Sequence, residues 1–278
     1  MRHKETGFIN HVQYFEWLLV DLRGDERLSV YRTDRLGKTT GMSERDFMTI
    51  GPANHPTESN TFGAATLDLL QAAQDSGQTA VFSLVRHSAR HYGQADNDLD
   101  NPLSEEGREL CRRFGQALPR WTTLTTSASS SGRCIETAEL VASTHLSSPA
   151  STPALPKELA VFYVRDMRRV GAMMKHEGSP AVLQRWFNND LPPDVMQPPA
   201  EAADRILRHI HEQLETPGSK GLHLGVTHDW TLYLLRQQWL GLGLATAPPV
   251  NYLDGMVIWR QGEHLYLSSP WAPVQQLD

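Results

Sequence analysis

The chain has 278 residues, 40% of them apolar, with 26 Lys and Arg against 32 Asp and Glu. It is long and apolar enough to bury a substantial core, as one large α/β domain or a core with an added lobe, and this excludes disorder across the whole chain. The net charge of −6 and the lack of any long Lys/Arg run give no electrostatic support to a nucleic-acid or membrane-surface role, so any basic site must be local.

The first eighty residues carry no chemical motif. The amino terminus, MRHKETGFINHVQYFEW, is charged and lacks the apolar core of a signal peptide, and no apolar run reaches transmembrane length, so the expectation is a cytoplasmic, soluble protein. EWLLVDL and LSVYRT each read as a short strand, and MSERDFMTI spaces a Ser and an Asp like a helix start. FGAATLDLLQAAQDSG reads as an amphipathic helix closed by Gly77. Residues 1–79 are therefore expected to form an N-terminal extension packed on the core, and residues 80–278 the main domain.

From Val81 the pattern turns regular: apolar strand, short polar loop, helix, repeated, as in a mostly parallel sheet flanked by helices, an α/β fold. AVFSLVRHSAR is followed by PLSEEGRELCRRFGQAL, where Ser104 is the expected N-cap with two glutamates in the first turn. TLTTSASSSGRCIETAELVAS gives a short strand, a serine-rich turn and a helix beginning near Arg133. Cys111 and Cys134 fall in these helical segments and nothing resembles a disulfide framework or a paired-cysteine zinc site, so both are expected to be reduced.

A stretch rich in Pro, Met and Trp, about residues 146–199, reads as a helical insertion over the site. It holds the helix SPAVLQRWF, with Ser179 as its cap and Pro180 in its first turn, and the linker LPPDVMQPP. AEAADRILRHIHEQLE returns to the sheet as a helix. LHLGVTHDWTLYLLRQQWLG then gives a strand from Leu222 to Val226, the polar residues Thr227, His228 and Asp229, and a helix ending at Gly241. The tail MVIWRQGEHLYLSS reads as two strands around a Gln-Gly turn.

Three strands thus end in charged or imidazole residues just before a helix. In an open α/β sheet the carboxyl ends of the strands form the ligand crevice, so Arg86, His87, Arg90, Arg133, His228 and Asp229 converge on one pocket. Three guanidinium forks and adjacent helix N-termini suit a phosphoryl group. No Walker loop, GxSxG elbow or Cys-x5-Arg loop is present, which leaves imidazole as the nucleophile, with His87 the natural candidate.

VRHSAR, PLSEEGRE, SGRCIETAE and GVTHDWTL together resemble the histidine phosphatase superfamily, which includes phosphoglycerate mutases and histidine acid phosphatases, over Ala80 to Leu267. The resemblance implies a phosphoglycerate mutase-like fold. It also implies that His87 attacks phosphorus to give phosphohistidine while Arg86, Arg90, Arg133 and His228 hold the phosphoryl oxygens, with no metal or organic cofactor. The HD pair suggests Asp229 as proton donor, as in the acid-phosphatase branch; the mutase branch takes a glutamate after the second strand, for which Glu158 is the nearest counterpart, and Asp166 is a further reserve. Ser88 replaces the frequent glycine of RHG, and Trp230 replaces the usual threonine of HDT.

Plainer readings stand beside these. Asp229 can simply cap its helix. Arg165, Arg168 and Arg169 can extend the anion site toward a polyanionic substrate or form a solvated face. Met173, Met174 and Trp186 read as lobe core. His91 lies at helical metal-ligand spacing from His87, with His209, His211 and His223 elsewhere, but three arginines in the same pocket would repel a divalent cation. The expected function is hydrolysis of a phosphomonoester, on a small molecule or a phosphoprotein. A phosphomutase and a catalytically silent phosphate-binding module are the alternatives. The sequence names neither a specific substrate nor an oligomeric state.

Overall fold

The computed structural model describes residues 18–21, 29–33, 39–42, 62–93, 100–145, 156–159, 163–215 and 220–277. The chain divides into two compact units, Met1–Glu58 and Ser59–Asp278. In the first, β1 (Leu18–Asp21), β2 (Ser29–Thr33) and β3 (Thr39–Met42) form an antiparallel sheet in that order. The strands expected in EWLLVDL and LSVYRT are β1 and β2, whereas the helix start expected in MSERDFMTI lies outside the described residues apart from Met42.

The second unit runs α1 (Ala64–Asp75), β4 (Ala80–Arg86), α2 (Glu105–Ala117), β5 (Leu124–Ala128), α3 (Gly132–Thr144) and β6 (Lys157–Glu158). It continues with α4 (Met167–Glu177), α5 (Ser179–Phe187), α6 (Pro199–Glu215), β7 (Gly221–Thr227) and α7 (Asp229–Leu240), and closes with β8 (Gly255–Gln261), β9 (His264–Ser269) and β10 (Ala272–Gln276). The sheet order is β10-β9-β8-β4-β7-β5-β6. β4, β7, β5 and β6 are parallel, while β8, β9 and β10 add antiparallel strands at the other edge. The core is the parallel sheet that the strand and helix alternation implies, and the hairpin at Gly262 (φ 65°) lets β8 and β9 pair antiparallel at the carboxyl-terminal edge.

β4 is central and is covered on both faces, which is why AVFSLVR reads as a continuous apolar run rather than an alternating one. Val81 and Val85 pack with Leu70 of α1, Phe114 of α2 and Val141 of α3 on one face. Phe82 and Leu84 pack with Ile206 of α6 and Leu232 of α7 on the other. Two cores thus sandwich one sheet, and every loop that leaves the carboxyl end of β4, β5 or β7 opens at the same rim.

The helical stops follow local chemistry. Ser104 Oγ accepts from the Gly107 N–H at 3.0 Å, as expected of an N-cap, and Gly241 takes the left-handed conformation that ends α7. Ser179 is not a cap. α4 runs directly into α5 through Gly178 (φ 82°), which serves both helices, so Ser179 becomes the first residue of α5. α4 adds a helix to the one expected within the insertion, and of its residues only Val170 is fully buried.

The insertion shares the core of the sheet rather than forming one of its own. Trp186 is fully buried and stacks on Tyr163, with ring centroids 4.7 Å apart, and Met173 and Met174 pack against the same cluster. Arg165 donates to Pro193 O at 2.9 Å and Arg169 pairs with Asp194 at 2.6 Å, so two of the three arginines of this segment fasten the insertion to its own return loop. Among the described residues no helix is long and apolar enough to cross a membrane.

Candidate active site

The backbone fixes where each side chain stands. The His87 N–H donates to Thr227 O at 2.8 Å, which sets the residue after β4 beside the end of β7, and Arg86 pairs in register with Thr227. His228 and Asp229 follow immediately, at the N-terminus of α7. Arg133 lies in the first turn of α3, after the Ser129 to Ser131 turn that leaves β5. Three separate segments are therefore delivered to one rim by parallel pairing.

The side chains meet there. The Arg133 Nε–H donates to His87 Nε2 at 3.0 Å, and Arg133 Nη2 donates to His228 Nδ1 at 3.3 Å. The two imidazole centroids are 5.4 Å apart, near perpendicular. Because its Nε2 accepts, neutral His87 carries its proton on Nδ1, and that N–H donates to Ser88 O at 2.7 Å. His228 is the opposite tautomer: its Nδ1 accepts and its Nε2–H faces Ser131 Oγ at 3.4 Å. Burial, reinforced by Arg86, Arg133 and the other imidazole, pushes the His87 pKa well down. Burial and then Arg133 lower that of His228 to about 4. Both imidazoles are neutral at pH 7, with the lone pair of His87 Nε2 directed at the guanidinium that an incoming anion would engage.

Arg86 is held from several sides. Its Nη1 donates to Val250 O at 2.7 Å, its Nη2 pairs with Asp229 Oδ2 at 3.1 Å, and its guanidinium lies 4.4 Å over the ring of Tyr252. Arg90 stands over Tyr92 at 4.1 Å, and the Tyr92 and Tyr252 hydroxyls meet at 2.6 Å. Tyr92, Val250 and Tyr252 escaped the sequence reading, because each lies in a loop with no periodic or motif signal.

Of the expected proton donors, Asp229 is the one in contact with the cationic cluster, and its side chain is 31% exposed. Its Oδ1 accepts from the Trp230 N–H at 2.9 Å, so it also braces the first turn of α7. Glu158 sits in the two-residue edge strand β6, level with Ala128 at the carboxyl end of β5, and is exposed. Asp166 is occupied as the N-cap of α4, accepting from the Arg169 N–H at 3.0 Å. Trp230 lies against the insertion, 6.5 Å from Trp186 between ring centroids.

Among the described residues, His209 and His223 lie apart from this constellation. His87 to His91 is extended rather than helical, with Arg90 bridging to Leu103, so the four-residue spacing does not bring His91 onto a common face with His87. His223 stacks on Phe82 in the sheet and meets Ser127 Oγ at 3.0 Å, and His209 meets Phe82 edge-on. Among the described residues no group of three or more His, Cys, Asp and Glu side chains is arranged to hold a metal ion.

The model of the histidine phosphatase superfamily (branch 1) matches residues 82–258, which take in His87 just after β4, the helix of Arg133 and His228 just after β7. The chain belongs to this superfamily. No curated protein sequence matches it significantly. Among solved structures, the mycobacterial glucosyl-3-phosphoglycerate phosphatase superposes with a TM-score of 0.50 at 15% identity, covering 68% of this chain and 97% of that one. YhfR of Bacillus stearothermophilus gives 0.47 at 20% identity over 68% and 96%, and a phosphoglycerate mutase from Bacillus anthracis gives 0.46 at 17% over 70% and 94%. At such identities the likeness concerns the fold, and the superfamily assignment supports a phosphoryl-transfer enzyme at that level of description.

Proposed function

We propose that the chain is a metal-independent phosphatase that hydrolyses a phosphomonoester through a phosphohistidine on His87. The observation that carries this reading is the pair of bonds on one imidazole: Nδ1–H tied to Ser88 O and Nε2 facing Arg133. A neutral imidazole with a fixed tautomer, whose Nε2 lone pair is released for attack when the substrate takes over the Arg133 N–H, is what in-line attack on a phosphoryl group needs. The substrate phosphoryl group draws the N–H groups of Arg133 onto its oxygens, shared with Arg86, Arg90 and His228. His87 Nε2 then forms the N–P bond as the P–O bond to the leaving group breaks, and the equatorial charge rests on the guanidinium groups.

Asp229 delivers the proton to the departing oxygen. In the free protein its carboxylate rests against Arg86. A phosphoryl dianion arriving on Arg86 brings a second negative charge beside it, which favours a proton held between the two. Water next attacks the phosphohistidine, returning a proton to Asp229 and releasing phosphate with His87 restored.

Rapid quench under non-acidic conditions followed by peptide mass spectrometry should find an acid-labile, base-stable phosphoryl group on His87, and turnover of p-nitrophenyl phosphate should persist in EDTA. Phosphorylation at a serine, or undiminished turnover in His87→Ala, would overturn the mechanism.

A further inference from the structure

The superfamily motif frequently has glycine after the histidine, whereas this chain has Ser88, and the structure gives that serine a set of contacts a glycine could make only in part. Ser88 is fully buried. Its hydroxyl donates to Gly107 O in the first turn of α2 at 2.8 Å. Its backbone N–H donates to Thr137 Oγ1 of α3 at 3.2 Å, and that same hydroxyl donates to Arg133 O at 2.7 Å. Its carbonyl accepts the Nδ1–H of His87 at 2.7 Å. Every polar group of Ser88 is thus engaged, and each in a different direction. The next peptide is held too, since the Ser104 N–H donates to Ala89 O at 3.1 Å.

We propose that Ser88 is a positioning residue: its hydroxyl, pinned to the first turn of α2, orients the carbonyl that holds the His87 Nδ1 proton and so fixes the attacking tautomer. Thr137 is the second pin. It ties the preceding peptide, through the Ser88 N–H, to the carbonyl of Arg133, so the backbone is held on both sides of the Ser88 Cα and the nucleophile and the guanidinium that faces it are referred to one hydroxyl. A carbonyl held from one side only can rotate with its peptide plane, and the imidazole then gains access to the tautomer with the proton on Nε2, which has no lone pair to attack with. The effect on turnover rests on the phosphatase reading, whereas the effect on the tautomer does not.

The test separates the two. In the free protein, the 15N shifts of the His87 ring should report a single form protonated on Nδ1. Ser88→Ala and Ser88→Gly should shift these signals toward a mixture of tautomers. Under the phosphatase reading, kcat on p-nitrophenyl phosphate should also fall about tenfold, the loss expected of one neutral hydrogen bond that matters at the transition state. KM and the affinity for inorganic phosphate should stay within about twofold, because Ser88 is not a phosphate ligand. Thr137→Val should reproduce the spectroscopic change and Thr137→Ser should restore it, which keeps the test decisive if a Ser88 variant folds poorly. An unchanged His87 tautomer in the folded Ser88 or Thr137 variants would overturn the positioning role and leave Ser88 as a satisfied core hydroxyl. A changed tautomer in a protein that never turns over a phosphomonoester would uphold it while refuting the phosphatase reading.

Discussion

Arg133 serves both imidazoles at once, so in the proposed reaction an incoming phosphoryl group takes over N–H groups that His87 and His228 accept from in the free protein. Loss of that guanidinium should therefore be felt mainly in anion binding. Arg133→Ala is expected to weaken inhibition by vanadate by about tenfold or more, from the loss of charge-assisted hydrogen bonds. It should also abolish most of the rise in melting temperature that vanadate gives the parent; an equal rise in both proteins would place Arg133 outside the binding event. At Asp229 the proposed role of proton donor and the observed role of helix brace respond differently to one substitution. Asp229→Asn retains the shape needed to brace the helix but has no proton to give. Hydrolysis of an alkyl phosphate should fall about 10²- to 10⁴-fold, while p-nitrophenyl phosphate, whose leaving group departs with little protonation, should largely survive. Equal losses on both substrates would point to damaged phosphate binding through Arg86. Survival of both would move the acid role to Glu158, the exposed carboxylate level with the end of β5.

At the scale of elements, the loop after β4 and the start of α2 are in direct backbone contact. A Cβ added at Gly107 would lie 1.9 Å from Ala89 O, so the approach of helix to loop exists only with glycine there. Gly107→Ala should destabilise the protein by about 2–3 kcal/mol and depress kcat, because relief of the clash displaces the peptide next to His87. Urea unfolding and steady-state kinetics on the same preparation would measure both, and wild-type stability in this variant would contradict the geometry. What the sequence made legible follows the same physical divide. Ser104, Gly241, the strand of Arg86 and the helix of Arg133 are specified by neighbours within a few residues, so they could be read directly. α4 could not, because Val170 is its one fully buried residue and its cap at Gly178 is shared with α5. β10 could not either: APVQQ has a proline and two glutamines, and it is a strand because the edge of β9 offers it a ladder. The guanidinium and imidazole members of the site were legible because they sit at strand ends. The rim of Tyr92, Val250 and Tyr252 is created by tertiary contact between loops, and no local pattern marks it.

For the molecule as a whole, buried imidazoles set the dependence of stability on pH. His223 and His228 are both lowered to about 4, chiefly by burial, and His87, His145 and His209 are lowered as well. In the unfolded chain such groups take up protons near pH 6.5, whereas the folded protein refuses them until the pH approaches their lowered values. Their contribution is therefore fully present above about pH 6.5 and is lost as the pH falls toward 4, at up to about 1.4 kcal/mol per pH unit for each fully suppressed group. Asp254, whose carboxyl burial raises, acts in the opposite sense at the acid end of that window. The urea midpoint should thus be nearly level from pH 7 to 8 and drop steeply below pH 6.5, and a flat profile down to pH 5 would show that these imidazoles are hydrated in solution. The position of β4 has a further consequence, for synthesis on the ribosome. It lies at the centre of the sheet, yet its two partners, β7 and β8, begin only at Gly221 and Gly255. At about 5–20 residues per second, this strand waits on the order of ten seconds with both edges unpaired and with α7, which covers part of one face, not yet made. Over that interval it is a segment inviting capture by another nascent chain, and the yield of native protein should depend on holdase chaperones and on growth temperature far more than the stability of the finished fold would suggest.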